Sequence, residues 1–140
     1  MAKQVREAMT ANPHTLQLDA SVAEAAKAMA EADVGSLPVV DVDGILFGMI
    51  TDRDIVVRVV AMGKNPSATR VDEVATKDVS PAYPDDSLDE ALTSMAQRQV
   101  RRLPVVENER VIGILAQADI AHAAKDKKTG QLVEEISQTR

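Results

Sequence analysis

A chain of 140 residues, 45% of them hydrophobic, can bury one sizeable core or two small ones that depend on each other. It contains no cysteine, which excludes disulfides, thiolate zinc sites, iron–sulfur clusters and cysteine nucleophiles and fits a reducing, cytoplasmic setting. A net charge of -6 and only two aromatic residues, Phe47 and Tyr83, argue against a general nucleic-acid binder with a basic footprint and stacking platforms. The opening residues, charged at Lys3, Arg6 and Glu7, hold no apolar run of signal-peptide length. The most apolar stretch, Ile55 to Met62, is broken by Arg58, so a soluble protein without a membrane span is expected.

In chain order, Ser21-Val22-Ala23-Glu24 predicts a capped helix start, the serine accepting from the third helical N–H and the glutamate reaching back. Val22, Ala25, Ala26 and Met29 then supply one apolar face, with Gly35 placed to end the helix. Leu37–Val40 and Ile45–Ile50 read as two strands, joined by the turn sequence Asp41-Val42-Asp43-Gly44 into a hairpin. Thr51-Asp52-Arg53-Asp54 offers a second helix cap, with Ile55, Val56, Val59, Val60 and Met62 on one apolar side and Gly63 as the stop.

The same order then returns. Leu37-Pro38-Val39-Val40 recurs as Leu103-Pro104-Val105-Val106, 66 positions on. The step also relates Val5 to Val71, Thr10 to Thr76, Ser21 to Ser87, Glu24 to Glu90, Ala25 to Ala91 and Met29 to Met95. After the Pro-Val-Val core the step shortens to 65, relating Gly48 to Gly113 and Asp54 to Asp119, so a turn lost one residue. The second helix face is Leu88, Ala91, Leu92 and Met95; strands follow near Leu103–Val106 and Val111–Leu115, and a last helix starts near Gln117. Expected boundaries are a first repeat over 4–63, a polar, proline-containing linker over 64–70, a second repeat over 71–124 and a tail over 125–140 in which Gln131–Ser137 is amphipathic.

A helix, a Leu-Pro-Val-Val strand, a hairpin and a Gly-x-x-Thr-x-x-Asp helix opening, present twice, resemble the CBS domain, and the tandem resembles a Bateman module. Thr51-Asp52-Arg53-Asp54-Ile55 and Gln99-Val100-Arg101-Arg102-Leu103-Pro104 further resemble small stand-alone bacterial CBS-pair proteins of the hypoxic or stress response type. The resemblance implies an α/β (α+β) fold of two βαββα repeats about a pseudo-two-fold axis, with two clefts between the repeats that take adenosine-containing ligands. For the first cleft it implies Thr51 and Arg53 toward phosphate, Asp54 as ribose acceptor, and Thr15, Leu16, Ser36, Leu37 and Pro38 around the adenine. For the second it implies Asp119 as ribose acceptor, with Leu103, Pro104 and Tyr83 nearby; Ala116 stands where the threonine would be, leaving the phosphate to Arg102, with Arg101 and Arg98 beside it.

Structural readings of the same residues stand beside these. Thr51 and Asp54 also make a capping box; the arginines also make a solvated face; Asp41 and Asp43 also serve the turn. His14 and His122 lie in non-equivalent places, so no repeated metal site is expected. No nucleophile elbow, phosphate-binding Gly-Lys-Ser/Thr loop or His-Glu-x-x-His pair is present. The expectation is a non-enzymatic, homodimeric, cytoplasmic regulatory module. It would bind an AMP-, ADP- or ATP-like ligand, with magnesium as an accompanying ion, and act through an unidentified effector protein. The alternative is a ligand-free homodimeric scaffold for protein interaction.

Overall fold

The computed structural model describes residues 3–123, so the expected tail helix over 131–137 lies outside the described residues. Helix α1 (Val5–Ala8), strands β1 (Thr10–Ala11) and β2 (Leu16–Gln17), helix α2 (Val22–Ala32) and strands β3 (Ser36–Val40) and β4 (Leu46–Thr51) come first. Helix α3 (Asp52–Ile55) then runs into a π-helical turn over Val56–Val60, and a 3₁₀ turn spans Pro66–Ala68. Helices α4 (Val71–Val74) and α5 (Leu88–Arg98), strands β5 (Arg102–Glu107) and β6 (Arg110–Ala116) and helix α6 (Gln117–Ala123) complete the order. This is the mixed α/β architecture of two βαββα repeats that the sequence predicts.

The caps explain where the long helices start and stop. Ser21 and Ser87 each accept the N–H of the residue three on, Glu24 at 3.0 Å and Glu90 at 3.1 Å. Both helices end on a residue in the left-handed region, Asp33 and Gln99, each with φ of 56°. The stop is therefore Asp33 rather than the expected Gly35, whose carbonyl instead accepts Asp52 N–H at 2.9 Å. On α2 the buried stripe is Val22, Ala25, Ala28 and Met29; Ala26 is exposed, so the face is rotated from the expected one. On α5 Leu88, Ala91, Leu92 and Met95 are buried as expected.

Both hairpins form, with different turns. In the first, Asp41 Oδ1 accepts from Asp43 and Ile45 N–H and Gly44 takes φ of 83°. In the second, Asn108 and Glu109 sit consecutively at φ of 53° and 69°, a tighter two-residue turn that accounts for the lost residue.

The compact units do not coincide with the sequence repeats. One comprises residues 14–79 and 109–111; the other comprises 3–13, 80–108 and 112–123. The first contains the sheet β2-β3-β4, with β2 parallel and β4 antiparallel to β3. Its core gathers Val22, Ala25, Met29, Leu37, Val39, Ile50 and Val59 with Val71, Val74 and Ala75 from the start of the second repeat. The other contains β1-β6-β5, with β1 antiparallel to β6. Its core gathers Leu88, Leu92, Met95, Leu103, Leu115 and Ile120 with Val5 from the start of the first repeat.

Matching hydrogen bonds seat the two exchanged segments. Val71 N–H donates to Ala20 O at 2.8 Å as Val5 N–H donates to Asp86 O at 2.9 Å. Val22 N–H donates to Thr69 O as Leu88 N–H donates to Lys3 O, so the free N–H groups opening α2 and α5 are satisfied by the exchanged segment's backbone. Residues 64–70 are consequently more than a solvated linker: Thr69 is buried and its hydroxyl donates to Asn65 O at 2.8 Å.

Two glycines make the exchange sterically possible. A Cβ on Gly48 would run into the backbone carbonyl of Thr76, which pairs with Met49 there. A Cβ on Gly113 would lie 2.7 Å from Met9 Sδ and 3.0 Å from Thr10 O. The Gly48–Gly113 identity between the repeats thus marks where each last strand admits the incoming segment. Lys77 Nζ, 5.1 Å from the centre of the Phe47 ring, adds a cation–π contact to the first of these junctions. At the surface of the other unit, Arg6 pairs with Asp85 at 2.6 Å, and this hydrogen bond, with the charge behind it, raises the guanidinium pKa further.

Candidate functional site

In the first unit the β3–β4 register sets the site. Ser36 pairs with Thr51, Leu37 with Ile50 and Pro38 with Met49, while Leu16 of β2 pairs with Val39. Thr15, Ser36 and Thr51 are therefore brought to one end of the sheet, where β4 turns into α3. Leu37 and Pro38 are buried, Leu37 within the core, so at this place they offer backbone rather than a side-chain wall. Arg53 is exposed, and its N–H donates to Asp52 Oδ1 at 2.8 Å.

Asp54 is the centre of the arrangement. It is buried at 8% exposure, and its Oδ2 accepts Thr51 N–H at 3.0 Å while its own N–H donates to Thr51 Oγ1 at 3.0 Å. This reciprocal capping box starts α3. Two partners lie outside the motif. Thr76 Oγ1 donates to the carboxylate, 3.2 Å from Oδ1 and 3.3 Å from Oδ2, and Arg58 Nε stands 3.8 Å from Oδ1. Arg58 also donates through Nη1 to Val74 O at 3.2 Å. Sequence reasoning missed Thr76 because it lies 22 residues away and reaches Asp54 only through the exchanged segment. Its repeat identity with Thr10 was the available signal.

The second unit repeats the frame with different groups. Asp119 is half-buried, and its Oδ2 accepts Ala116 N–H at 3.2 Å, which leaves half a capping box because alanine replaces threonine. Gln117 N–H donates to Arg101 O at 2.9 Å, as Asp52 N–H does to Gly35 O. This places Arg101 and Arg102 at the end of the sheet where α6 begins. Leu103 and Pro104 are buried like their counterparts. Tyr83 is not grouped with Arg102. It follows the parallel bridge between Ala82 and Val105, lies toward the opposite end of β5 and is 52% exposed. The two sites differ in charge: Asp52, Arg53, Asp54 and Arg58 surround the first, and Arg101, Arg102 and Asp119 the second.

Among the described residues no group of three or more His, Asp or Glu side chains is placed to hold a metal ion, and no helix is long and apolar enough to cross a membrane.

Two matched α/β units, each with a carboxylate at a strand-to-helix corner, define a repeat of one domain type, and the family model for the CBS domain matches residues 5–61 and 71–126. The chain belongs to the CBS-domain family, as a tandem pair. Hypoxic response protein 1 of Mycobacterium tuberculosis is 35% identical over 131 residues, covering 94% of this chain and 92% of that protein. The CBS domain-containing protein YhcV of Bacillus subtilis is 37% identical over 134 residues, covering 95% and 94%. Among solved structures, Hypoxic Response Protein I with two coordinated zinc ions superposes with a TM-score of 0.81 at 36% identity, covering 86% of this chain and 98% of that one. The CBS-domain pair of protein MJ0100, in complex with 5'-methylthioadenosine and S-adenosyl-L-methionine, superposes with a TM-score of 0.76 at 30% identity, covering 87% and 95%.

Proposed function

We propose that this chain is a non-enzymatic regulatory module that binds an adenosine-containing ligand at the Asp54 site, and that it reports energy or stress state through a homodimer or an effector protein in the cytoplasm. The observation that carries the reading is the convergence of Thr15, Ser36, Thr51 and the buried Asp54 carboxylate at one sheet end. The adenosyl ligands bound by the CBS pair of MJ0100 support it. An ionised carboxylate is acceptor-only and suits a vicinal diol, and Thr51 and the exposed Arg53 suit the phosphate end, with magnesium accompanying the phosphates. Asp119 serves the second site. Its phosphate contact passes to Arg102, since Ala116 has no hydroxyl.

A ligand signals only if it favours one arrangement over another, and such couplings are about 1–3 kcal/mol. The test is a thermal-unfolding scan with AMP, ADP, ATP, NADH and S-adenosylmethionine. A ligand at 100 times its dissociation constant adds about 2.7 kcal/mol to stability and raises the midpoint. A rise that Asp54→Asn abolishes is expected. No rise with any of them at millimolar concentration would overturn ligand binding in favour of the scaffold.

That second reading has its own observation. The turn after α3 buries Val59 but leaves Val56, Val57, Val60 and Met62 exposed, the last two at 61% and 68%. The expected single apolar side is thus split, and the outward part suits association with a second copy.

A further inference from the structure

The reading of Asp54 as acceptor for a ligand diol has a consequence at Thr76, and the inference drawn from it rests on that reading. The place a diol would take on this carboxylate is filled by a hydroxyl of the chain itself. Thr76 Oγ1 lies 3.2 Å from one oxygen and 3.3 Å from the other, straddling the carboxylate as a bidentate donor does. Both distances exceed the roughly 2.5–2.7 Å of a strong hydroxyl–carboxylate bond, so the contact is weak and replaceable. Thr51 N–H holds Oδ2 from the helix side and is part of the cap. With Asp54 only 8% exposed, a ligand diol and the Thr76 hydroxyl contend for the same lone pairs.

What Thr76 anchors gives that competition an effect. Thr76 and Met49 exchange both backbone hydrogen bonds, at 2.8 and 2.9 Å, joining the exchanged segment to β4. Arg58 joins the same carboxylate to the last carbonyl of α4 at Val74. Asp54 is therefore a knot through which α3, β4 and residues 71–79 are fastened. The second site has no such knot: Thr10, the counterpart of Thr76, is exposed, Ala123 stands where Arg58 would, and among the described residues Asp119 accepts a hydrogen bond from Ala116 alone.

We infer that residues 71–79 form a clasp that an adenosyl ligand releases: its ribose diol displaces the Thr76 hydroxyl from Asp54 and frees α4, making Thr76 the residue that converts occupancy into a change of chain. Hydrogen exchange on the full chain tests this with AMP, 5'-methylthioadenosine and 2',3'-dideoxy-AMP as probes. A ligand that merely stabilises slows exchange throughout. The clasp requires AMP and 5'-methylthioadenosine to speed exchange at the amides of Val74, Ala75 and Thr76, and dideoxy-AMP, which lacks the diol, to leave them unchanged. Thr76→Val, which keeps shape and backbone pairing, should bind AMP roughly fivefold tighter, because the internal competitor is gone, and show no speeding. Thr76→Ser restores the hydroxyl and should behave as the parent chain.

Slowed or unchanged exchange at these amides with AMP bound, or AMP binding to Thr76→Val that is unchanged or weaker, would overturn the clasp while leaving ligand binding intact. Failure of all three probes to bind the parent chain would instead overturn the underlying ligand reading, and the clasp with it.

Discussion

Replacing Asp54 by alanine removes an acceptor for Thr51 N–H and Thr76 Oγ1 together. Loss of a cap and of bonds to a charged group predicts a destabilisation of about 1–3 kcal/mol. Asp54→Asn keeps an oxygen for Thr51 and should cost less, so ligand loss in the asparagine variant reads the site rather than the fold; urea unfolding of both gives the comparison. At the glycines the cost should differ between the repeats. Gly48→Ala meets backbone at Thr76 and cannot be relieved by a side-chain rotation, whereas Gly113→Ala first meets the flexible end of Met9. The expected losses are about 1–3 kcal/mol for Gly48→Ala and distinctly less for Gly113→Ala, by the same unfolding measurement. Equal losses would show that the two junctions are not set by these contacts.

Helices α2 and α5 start from the same motif in different units, and the serine alone is within reach of sequence reasoning. Ser21→Ala and Ser87→Ala should each lower stability by about 1 kcal/mol, and with no shared partner the double variant should show the sum. The expected return contact from Glu24 is not what completes the first cap; the exchanged segment's Thr69 carbonyl takes Val22 N–H. The element after Thr51 departs furthest from expectation. Periodicity placed Ile55, Val56, Val59, Val60 and Met62 on one side, but the π-helical turn, in which Ala61 N–H donates to Val56 O, shifts the phase so that Val59 alone is buried and Ile55 is half-buried. Val60→Glu is therefore expected to leave the fold intact and to shift an association equilibrium toward monomer in sedimentation velocity; an unchanged sedimentation coefficient would remove the Val56–Met62 face from the dimer proposal.

At the scale of the molecule, each compact unit draws its opening segment from the other repeat. A fragment of residues 1–63 lacks Val71, Val74 and Ala75 and the strand partner at Thr76, although sequence reasoning treats it as a repeat. A fragment of residues 14–79 contains them. Burying a valine stabilises by roughly 1.5–3 kcal/mol, so the absent segment is worth a large share of what a small domain has. The 14–79 fragment should show the higher ellipticity and a cooperative thermal transition, and the 1–63 fragment little or none. Equal folding of the two would mean that the exchanged segment is not needed for the core.

Sequence by itself determined the repeat, the mixed α/β class, the capped helix starts, both hairpins and the carboxylates at Asp54 and Asp119, because these rest on local hydrogen bonds and on periods within a few residues. It also supplied Thr51 with Asp54 as a reciprocal cap. Tertiary structure decided which repeat each opening segment completes, since Val5 and Val71 read alike along the chain and only packing chooses their core. It also decided that Leu37 and Leu103 turn inward to those cores, that Tyr83 stands apart from Arg102, and that Asp54 holds Thr76 and Arg58. Contacts across 22 residues depend on where the backbone closes upon itself, and no local pattern carries that information.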